Sequence, residues 1–123
     1  MFENTNAFSG FSVDDLDRAR SFYGDTLGLR VTDENGMLRL ELAGGNRVLI
    51  YPKPNHTPAS FTILNFTVDD IDKAVDELAA RGVSLERYEG FDQDERGIMR
   101  DGQGPRIAWF TDPAGNVLSV IQN

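Results

Sequence analysis

Apolar residues recur at three- and four-residue spacing in two segments of the chain, which predicts helices over about 15–24 and 70–81. Each segment begins with aspartates, whose carboxylates stabilise the free N–H groups of a first helical turn. Gly24 or Gly28 can end the first helix, and Gly82 can end the second. The pattern therefore predicts two short helices, one in each half of the chain.

The segments around these helices alternate between apolar and polar residues with the period of two that is typical of β-strands. Turn residues such as Glu34-Asn35-Gly36 and Asp101-Gly102 separate the segments. The predicted strands are residues 7–13, 30–33, 37–42 and 47–51 in the first half and 61–68, 84–88, a stretch within 95–100, 107–111 and 117–121 in the second.

The two halves of the chain are related by an internal repeat. Residues 12–19 read SVDDLDRA and residues 67–74 read TVDDIDKA, an offset of 55. Each copy follows an apolar run and begins a predicted helix. We therefore predict an α+β fold of two tandem βαβββ modules in a single domain, about 6–52 and about 60–123, joined by a proline-containing linker at 53–59.

One face of each predicted sheet is uniformly apolar, so we expect it to pack under the helix of that module. The opposite face mixes apolar and charged residues, which fits a concave, partly wet surface that binds a ligand. A solvated sheet face or an oligomer contact are the alternatives. The residues of this mixed face are Phe8, Arg39, Glu41, Arg47, Leu49, Tyr51, Ile63, Asn65, Thr67, Trp109, Ser119 and Ile121.

Composition narrows the classes of partner. The chain has 20 acidic and 12 basic residues among 123, a formal charge of −8, which disfavours nucleic acid and anionic membranes. A neutral or cationic small molecule remains compatible with that charge. The absence of cysteine removes disulfides and thiolate chemistry, and it fits a reducing cytoplasm. The N-terminus has no secretory pattern, and no apolar run is long enough for a transmembrane helix.

The ordered set of motifs resembles the vicinal oxygen chelate superfamily, which contains the glyoxalase I, bleomycin-resistance and extradiol dioxygenase proteins. The resemblance implies that the sheets curl around a shared cleft with the helices outside, and that the protein forms a homodimer. It leaves function open, because the superfamily includes enzymes and non-catalytic drug binders. The motifs that carry the resemblance are 13–19 (VDDLDRA), Phe22-Tyr23, Leu27-Gly28-Leu29, 68–71 (VDDI), Leu78, Gly82-Val83 and 110–116 (FTDPAGN).

The resemblance also implies four strand positions at which the enzymes of the superfamily hold a divalent metal through His, Gln or Glu. In this sequence those positions carry Phe8, Leu49, Ile63 and Ser119. Three hydrocarbon side chains offer no lone pair, and one hydroxyl cannot replace a set of three or four donors. We therefore expect no metal centre and no cofactor.

Two functional hypotheses follow, together with a third in which the cleft is vestigial and the protein is a structural or regulatory subunit. The first is a metal-independent protein that binds an aromatic or cationic compound and could thereby sequester it. Phe8, Leu49, Tyr51, Ile63 and Trp109 would then form its walls, and Arg39, Glu41, Arg47, Asn65 and Ser119 would orient the guest.

The second hypothesis is a lyase, isomerase or dioxygenase-type enzyme with a displaced or absent metal. Its candidates for an acid–base group are Glu41 and His56. Glu41 is more simply paired with its strand neighbour Arg39. His56, the only histidine, is more simply a solvated loop residue between two prolines.

Overall fold

The computed structural model describes residues 1–100 and 104–123, so the predicted turn at Asp101-Gly102 lies outside the described residues. The fold is mixed α+β, as predicted, with two helices and two sheets that do not close into a barrel. The chain divides into two compact units, Met1–Thr57 and Pro58–Asn123, and each unit contains one sheet. The boundary between the units falls inside the 53–59 segment.

Module 1, as we call the first unit, forms a four-stranded sheet in the order β1-β4-β3-β2. Strands β1 and β4 are parallel, and the other neighbours are antiparallel. The elements are β1 (Ser9–Val13), α1 (Leu16–Arg20), a π-helical segment (Ser21–Thr26), β2 (Arg30–Glu34), β3 (Met37–Glu41), a 3₁₀ turn (Ala43–Gly45) and β4 (Arg47–Pro52).

Module 2, the second unit, forms a sheet in the order β5-β9-β8-β6, with β7 also paired to β8. Strands β5 and β9 are parallel, and the other pairs are antiparallel. Strand β6 is shorter than the predicted 84–88 because the chain leaves the sheet in turns after it, and β7 lies within the predicted stretch 95–100. The elements are β5 (Thr62–Thr67), α2 (Ile71–Ala80), β6 (Leu85–Glu86), β7 (Met99–Arg100), β8 (Arg106–Thr111) and β9 (Val117–Gln122).

Both helices begin at an aspartate, as the sequence pattern predicts. The Asp15 carboxylate accepts a hydrogen bond from the Arg18 backbone N–H, and the Asp70 carboxylate accepts one from the Lys73 N–H. The first helix changes to π geometry and ends at Leu27, so Gly24 lies inside it. The residue that leaves the helix is Gly28, whose φ of 74° is easily adopted by glycine.

The internal repeat extends to the pairing of the strands. In module 1, Gly10 of β1 is paired with Leu49 of β4. Moving along the sequence by 55 and 70 positions, respectively, gives Asn65 and Ser119, which are paired in module 2. The same two registers therefore recur, and the two modules are copies of one backbone arrangement.

The apolar face of each sheet packs against the helix of its own module. In module 1 the buried strand residues alternate along the sheet, and Tyr23 joins them from the π-helical segment with no exposed surface. In module 2 the buried apolar residues come from α2, β8 and β9, with Ile98 added from the segment before β7, whereas the predicted apolar row on β5 is only half-buried. The buried strand residues are Phe11, Val13, Leu38, Leu40, Val48 and Ile50 in module 1 and Ala108, Phe110, Leu118 and Val120 in module 2.

Neither helix in the described ranges 1–100 and 104–123 is long and apolar enough to cross a membrane.

Candidate functional site

A pocket of about 250 Å³ lies on the sheet of module 1. Four of the residues that the sequence placed on the mixed face line this pocket: Phe8, Arg39, Arg47 and Leu49. The rest of the lining comes from the β2–β3 turn, from the ends of the two strands that it joins, and from β4. The complete lining is Phe8, Glu34, Asn35, Met37, Arg39, Arg47, Val48 and Leu49.

Strand alternation points the side chains of Arg39 and Leu49 into the pocket. Arg39 of β3 is paired with Leu49 of β4, while their neighbours Leu38 and Ile50 are fully buried on the helix side. Gly10 of β1 is paired with Leu49 on the side opposite Arg39. A Cβ added at Gly10 would lie 3.2 Å from the Leu49 carbonyl oxygen. A larger residue at that position would crowd the pocket wall.

Phe8 forms an unusually exposed apolar wall. It precedes β1, and 63% of its surface is accessible. The guanidinium carbon of Arg47 lies 5.9 Å from the centre of its ring, a distance at which cation–π attraction operates. The pocket thus places an aromatic ring and a cation side by side.

The other charged groups of this face pair with one another. Arg39 Nε lies 2.8 Å from Glu41 Oε1, and Arg39 Nη1 lies 3.6 Å from Glu34 Oε1. The contact with Glu41 is close enough for an ion pair, but the Nε–H group is not aligned for a hydrogen bond and has no other acceptor among the described residues. The predicted pairing of Arg39 with Glu41 is therefore present.

Two predicted residues of module 1 lie outside the pocket lining. Glu41 and Tyr51 belong to β3 and β4, and neither borders the cavity. Sequence reasoning missed Glu34, Asn35, Met37 and Val48 as lining residues. The β2–β3 turn was the signal that could have found Glu34 and Asn35, because the turn of a hairpin lies at the edge of the sheet face that its two strands form.

The equivalent face of module 2 is covered. Trp109 occupies the position of Arg39 shifted by 70 residues, and only 8% of it is exposed. Its ring centre lies 5.5 Å from that of Tyr88 and 5.2 Å from that of Phe91. Its indole N–H donates a hydrogen bond to Thr62 Oγ1 at 3.2 Å. A guest could stack on Trp109 only if Tyr88 or Phe91 moved.

The connection between β6 and β7 (residues 87–98), which we call the covering segment because its rings lie over Trp109, is held together by the side chain of Gln93. Its amide nitrogen donates to the backbone carbonyls of Glu86 at 3.0 Å and Gly97 at 2.7 Å, and its oxygen accepts from the Tyr88 N–H at 2.8 Å. Burial and the nearby Glu86 carboxylate raise the pKa of the Tyr88 hydroxyl, so the ring stays neutral at ordinary pH.

The remaining predicted residues of module 2 are occupied or apolar. Ser119 is fully buried, and its hydroxyl lies 2.5 Å from Asn65 Oδ1, to which it donates a hydrogen bond. Asn65 itself is exposed on β5. Ile63 is half-buried at an irregularity in the β5–β9 pairing.

His56, near the end of module 1, contacts the β1 strand of the same module and is not simply solvated. Its Nδ1 lies 2.7 Å from the Ser12 hydroxyl, and the residue is half-buried. The expectation of a solvated loop histidine is therefore wrong, because the loop folds back onto the end of β1. Neither His56 nor Ser12 lines the pocket.

The donor chemistry of the four superfamily metal positions does not fit a divalent metal. Phe8, Leu49 and Ile63 have hydrocarbon side chains, and the Ser119 hydroxyl is hydrogen-bonded to Asn65. Within the described ranges there is no group of three His, Cys, Asp or Glu side chains that could hold a metal ion.

The sequence matches the model of the Glyoxalase/Bleomycin resistance protein/Dioxygenase superfamily over residues 7–120. The match covers nearly the whole chain and agrees with the duplicated fold, so the protein belongs to this superfamily. The comparison with curated protein sequences gives no match.

Solved structures share the fold over almost their full length. A superfamily member from Sphaerobacter thermophilus is 23% identical with a TM-score of 0.75, covering 97% of this chain and 98% of that one. TnmS3, an antibiotic binding protein from a Streptomyces species, is 26% identical with a TM-score of 0.70 and 97% coverage of both chains. The fosfomycin resistance protein FosX from Listeria monocytogenes is 14% identical with a TM-score of 0.74, covering 98% and 93%.

Proposed function

We propose that this protein binds a small organic molecule without a metal ion, and that the pocket of module 1 is the binding site. The observation that carries the proposal is the identity of the pocket walls. Phe8 and Leu49 stand at positions where the resemblance implies metal ligands in enzymes, and both line the cavity. Hydrocarbon walls beside a few polar groups favour an organic guest over an ion.

The size of the pocket limits the guest. About 250 Å³ is smaller than the roughly 300–1,000 Å³ of sites that hold drug-sized ligands, so we expect one or two fused rings to fill it. TnmS3 is an antibiotic binding protein, so the same fold carries a binding function in a relative. That similarity supports a binding role for this chain.

The test is a titration with three matched compounds: neutral 2-naphthamide, anionic 2-naphthoate and cationic 2-naphthylmethylammonium. Protein dialysed against a chelator should bind at least one of them, with amide shifts in the NMR spectrum confined to the pocket lining. Leu49→Gln should weaken binding about tenfold, since it puts an amide into an apolar wall. Leu29→Gln changes a half-buried leucine outside the pocket and should leave binding unchanged.

Two results would overturn the proposal. One is a failure of all three compounds to bind. The other is stoichiometric zinc, nickel, iron or manganese that survives dialysis, which would favour the alternative of a lyase, isomerase or dioxygenase-type enzyme. A homodimer is the oligomeric state we propose, and light scattering on the purified protein measures it.

A further inference from the structure

The charged side chains of the module 1 face fall into two groups. In the first group, Arg39 lies between Glu34 and Glu41 and contacts both carboxylates. The second group is Arg47 alone. Arg47 is paired with Glu41 across the β3–β4 pair, so Glu41 is the carboxylate directly opposite it in the sheet. Glu41 nevertheless contacts Arg39.

Arg47 is consequently a cation without a counter-ion at the pocket wall. In the part of the chain that the structure describes, no carboxylate lies within ion-pair distance of its guanidinium group. Its guanidinium carbon lies 5.9 Å from the centre of the Phe8 ring, a cation–π contact. A guanidinium group presents a planar set of donors that matches the oxygens of a carboxylate, phosphonate or sulfonate.

From this arrangement we infer that the guest of the pocket is an organic anion. Its flat apolar body lies against Phe8 and Leu49, and its acidic head binds the guanidinium group of Arg47. The inference rests on the proposed function and narrows it to one chemical class. It departs from the sequence-based expectation of a cationic guest, which followed from the net charge of −8.

Two physical arguments favour the anion over the cation. A cationic guest would compete with Arg39 for the carboxylate of Glu34 or Glu41, whereas an anion meets Arg47 without competing with an ion pair. The net negative charge of the chain acts mainly at long range, and at physiological salt it is screened beyond about 8 Å. The unpaired guanidinium therefore determines which charge is favoured at contact.

The experiment compares the same three naphthalene compounds by calorimetry on the full chain. We expect 2-naphthoate to bind about tenfold or more tightly than 2-naphthamide, and 2-naphthylmethylammonium to bind least. The preference for the anion should shrink as salt is added. Arg47→Gln should lower the affinity for 2-naphthoate to that for 2-naphthamide. Arg47→Lys should retain part of the preference for 2-naphthoate because it keeps the positive charge.

The control is Arg18→Gln, which removes an exposed arginine of α1 outside the pocket and should leave all three affinities unchanged. The NMR spectrum of each variant shows whether it is folded, and naphthamide binding by Arg47→Gln shows that its pocket is intact. Equal binding of amide and naphthoate, or tightest binding of the cation, would overturn this inference and leave the proposed function standing. If no compound binds, both fail.

Discussion

The two modules share one backbone arrangement but differ in what lies over the mixed face of the sheet. Arg39 pairs with Leu49 in module 1, and the equivalent pair in module 2 is Trp109 with Ser119. The first pair borders an open pocket. In the second, Trp109 is covered by two aromatic rings. Identical strand registers can therefore carry an open site in one copy and a closed aromatic cluster in the other.

The cover of module 2 comes from an insertion. The offset between equivalent residues is 55 at the helices and 70 at the last two strands, so module 2 has 15 more residues between them. Tyr88, Phe91 and Gln93 lie in that stretch. The comparison indicates that the two faces differ because of an insertion in a connecting segment. The strand arrangement is the same in both modules.

The largest effect we expect comes from removing equivalent core residues of the two modules. Tyr23 is fully buried and packs against Phe11 at 5.8 Å and Phe22 at 5.1 Å, and Leu78 is its counterpart 55 residues later. Tyr23→Ala should lower the free energy of unfolding by about 4 kcal/mol and Leu78→Ala by about 3 kcal/mol. Urea unfolding followed by circular dichroism measures both. A loss below about 1 kcal/mol for Tyr23→Ala would show that its site collapses without cost.

Next in size is the turn between β8 and β9, where the modules differ in a buried charge. The Asp112 carboxylate accepts hydrogen bonds from the Ala114 N–H at 3.0 Å, the Asn116 N–H at 2.8 Å and the Asn116 side-chain amide at 3.1 Å. Asp112→Ala should cost about 3 kcal/mol, because buried donors are left without an acceptor.

The matched control for that change is Leu42, which occupies the equivalent position of module 1 and is half-buried. Leu42→Ala should cost about 1 kcal/mol, since it removes only part of a buried side chain. The backbone hydrogen bond that closes each turn, 2.8 Å from Leu42 N to Asn46 O and 3.0 Å from Asp112 N to Asn116 O, is common to both modules. Equal losses in the two variants would argue against a special role for the Asp112 carboxylate.

A smaller and more local loss of stability is expected from Gln93→Ala, which removes the three hydrogen bonds that the Gln93 side chain makes in the covering segment. The loss should be about 1–2 kcal/mol, because water replaces part of the lost bonding. Trp109 is the single tryptophan of the chain, so its fluorescence reports directly on the cover. We expect a shift of its emission to the red and easier quenching. Glu89→Gln in the same segment should change neither, and an unshifted Gln93→Ala spectrum would contradict the assigned role.

The smallest effect is a loss of stability of the covering segment in acid. Burial opposes ionisation of Asp94, but hydrogen bonds from Arg100 and from the backbone N–H groups of Ile98 and Arg96 outweigh it and lower the pKa of Asp94. A lowered pKa in the folded state stabilises the protein fully above the unfolded value of about 3.9, and this contribution disappears as the pH falls through the folded pKa.

Amide hydrogen exchange of residues 94–100 should therefore speed up below about pH 4 relative to the intrinsic rate. Asp94→Asn should already show this faster relative exchange near neutral pH and should respond less to acid. Wild-type exchange that keeps its protection through the acid range would refute the assignment. The Asp94 carboxyl is about one-third exposed, which is why we place this effect last.

Much of the fold could be predicted because its signals are local. The aspartates at 15 and 70 and the apolar spacing behind them predicted both helix starts, and the alternation in residues 37–42 predicted which side of β3 is buried. The lengths of β6 and β7 could not be predicted, because the chain between them has no period. The same stretch provides the rings over Trp109, so the state of that face was also unpredictable.

The sequence by itself determined the duplication and the strand faces, since each depends on residue type and spacing alone. The resemblance to the superfamily implied the four metal positions, three of which carry hydrocarbon side chains in this sequence. The tertiary structure decided that Arg39 also contacts Glu34, that Arg47 has no counter-ion among the described residues, that Ser12 contacts His56 and that Trp109 is covered. These contacts join residues on different strands and loops. Their partners depend on how side chains compete for the same space and charge, and no local pattern records that competition.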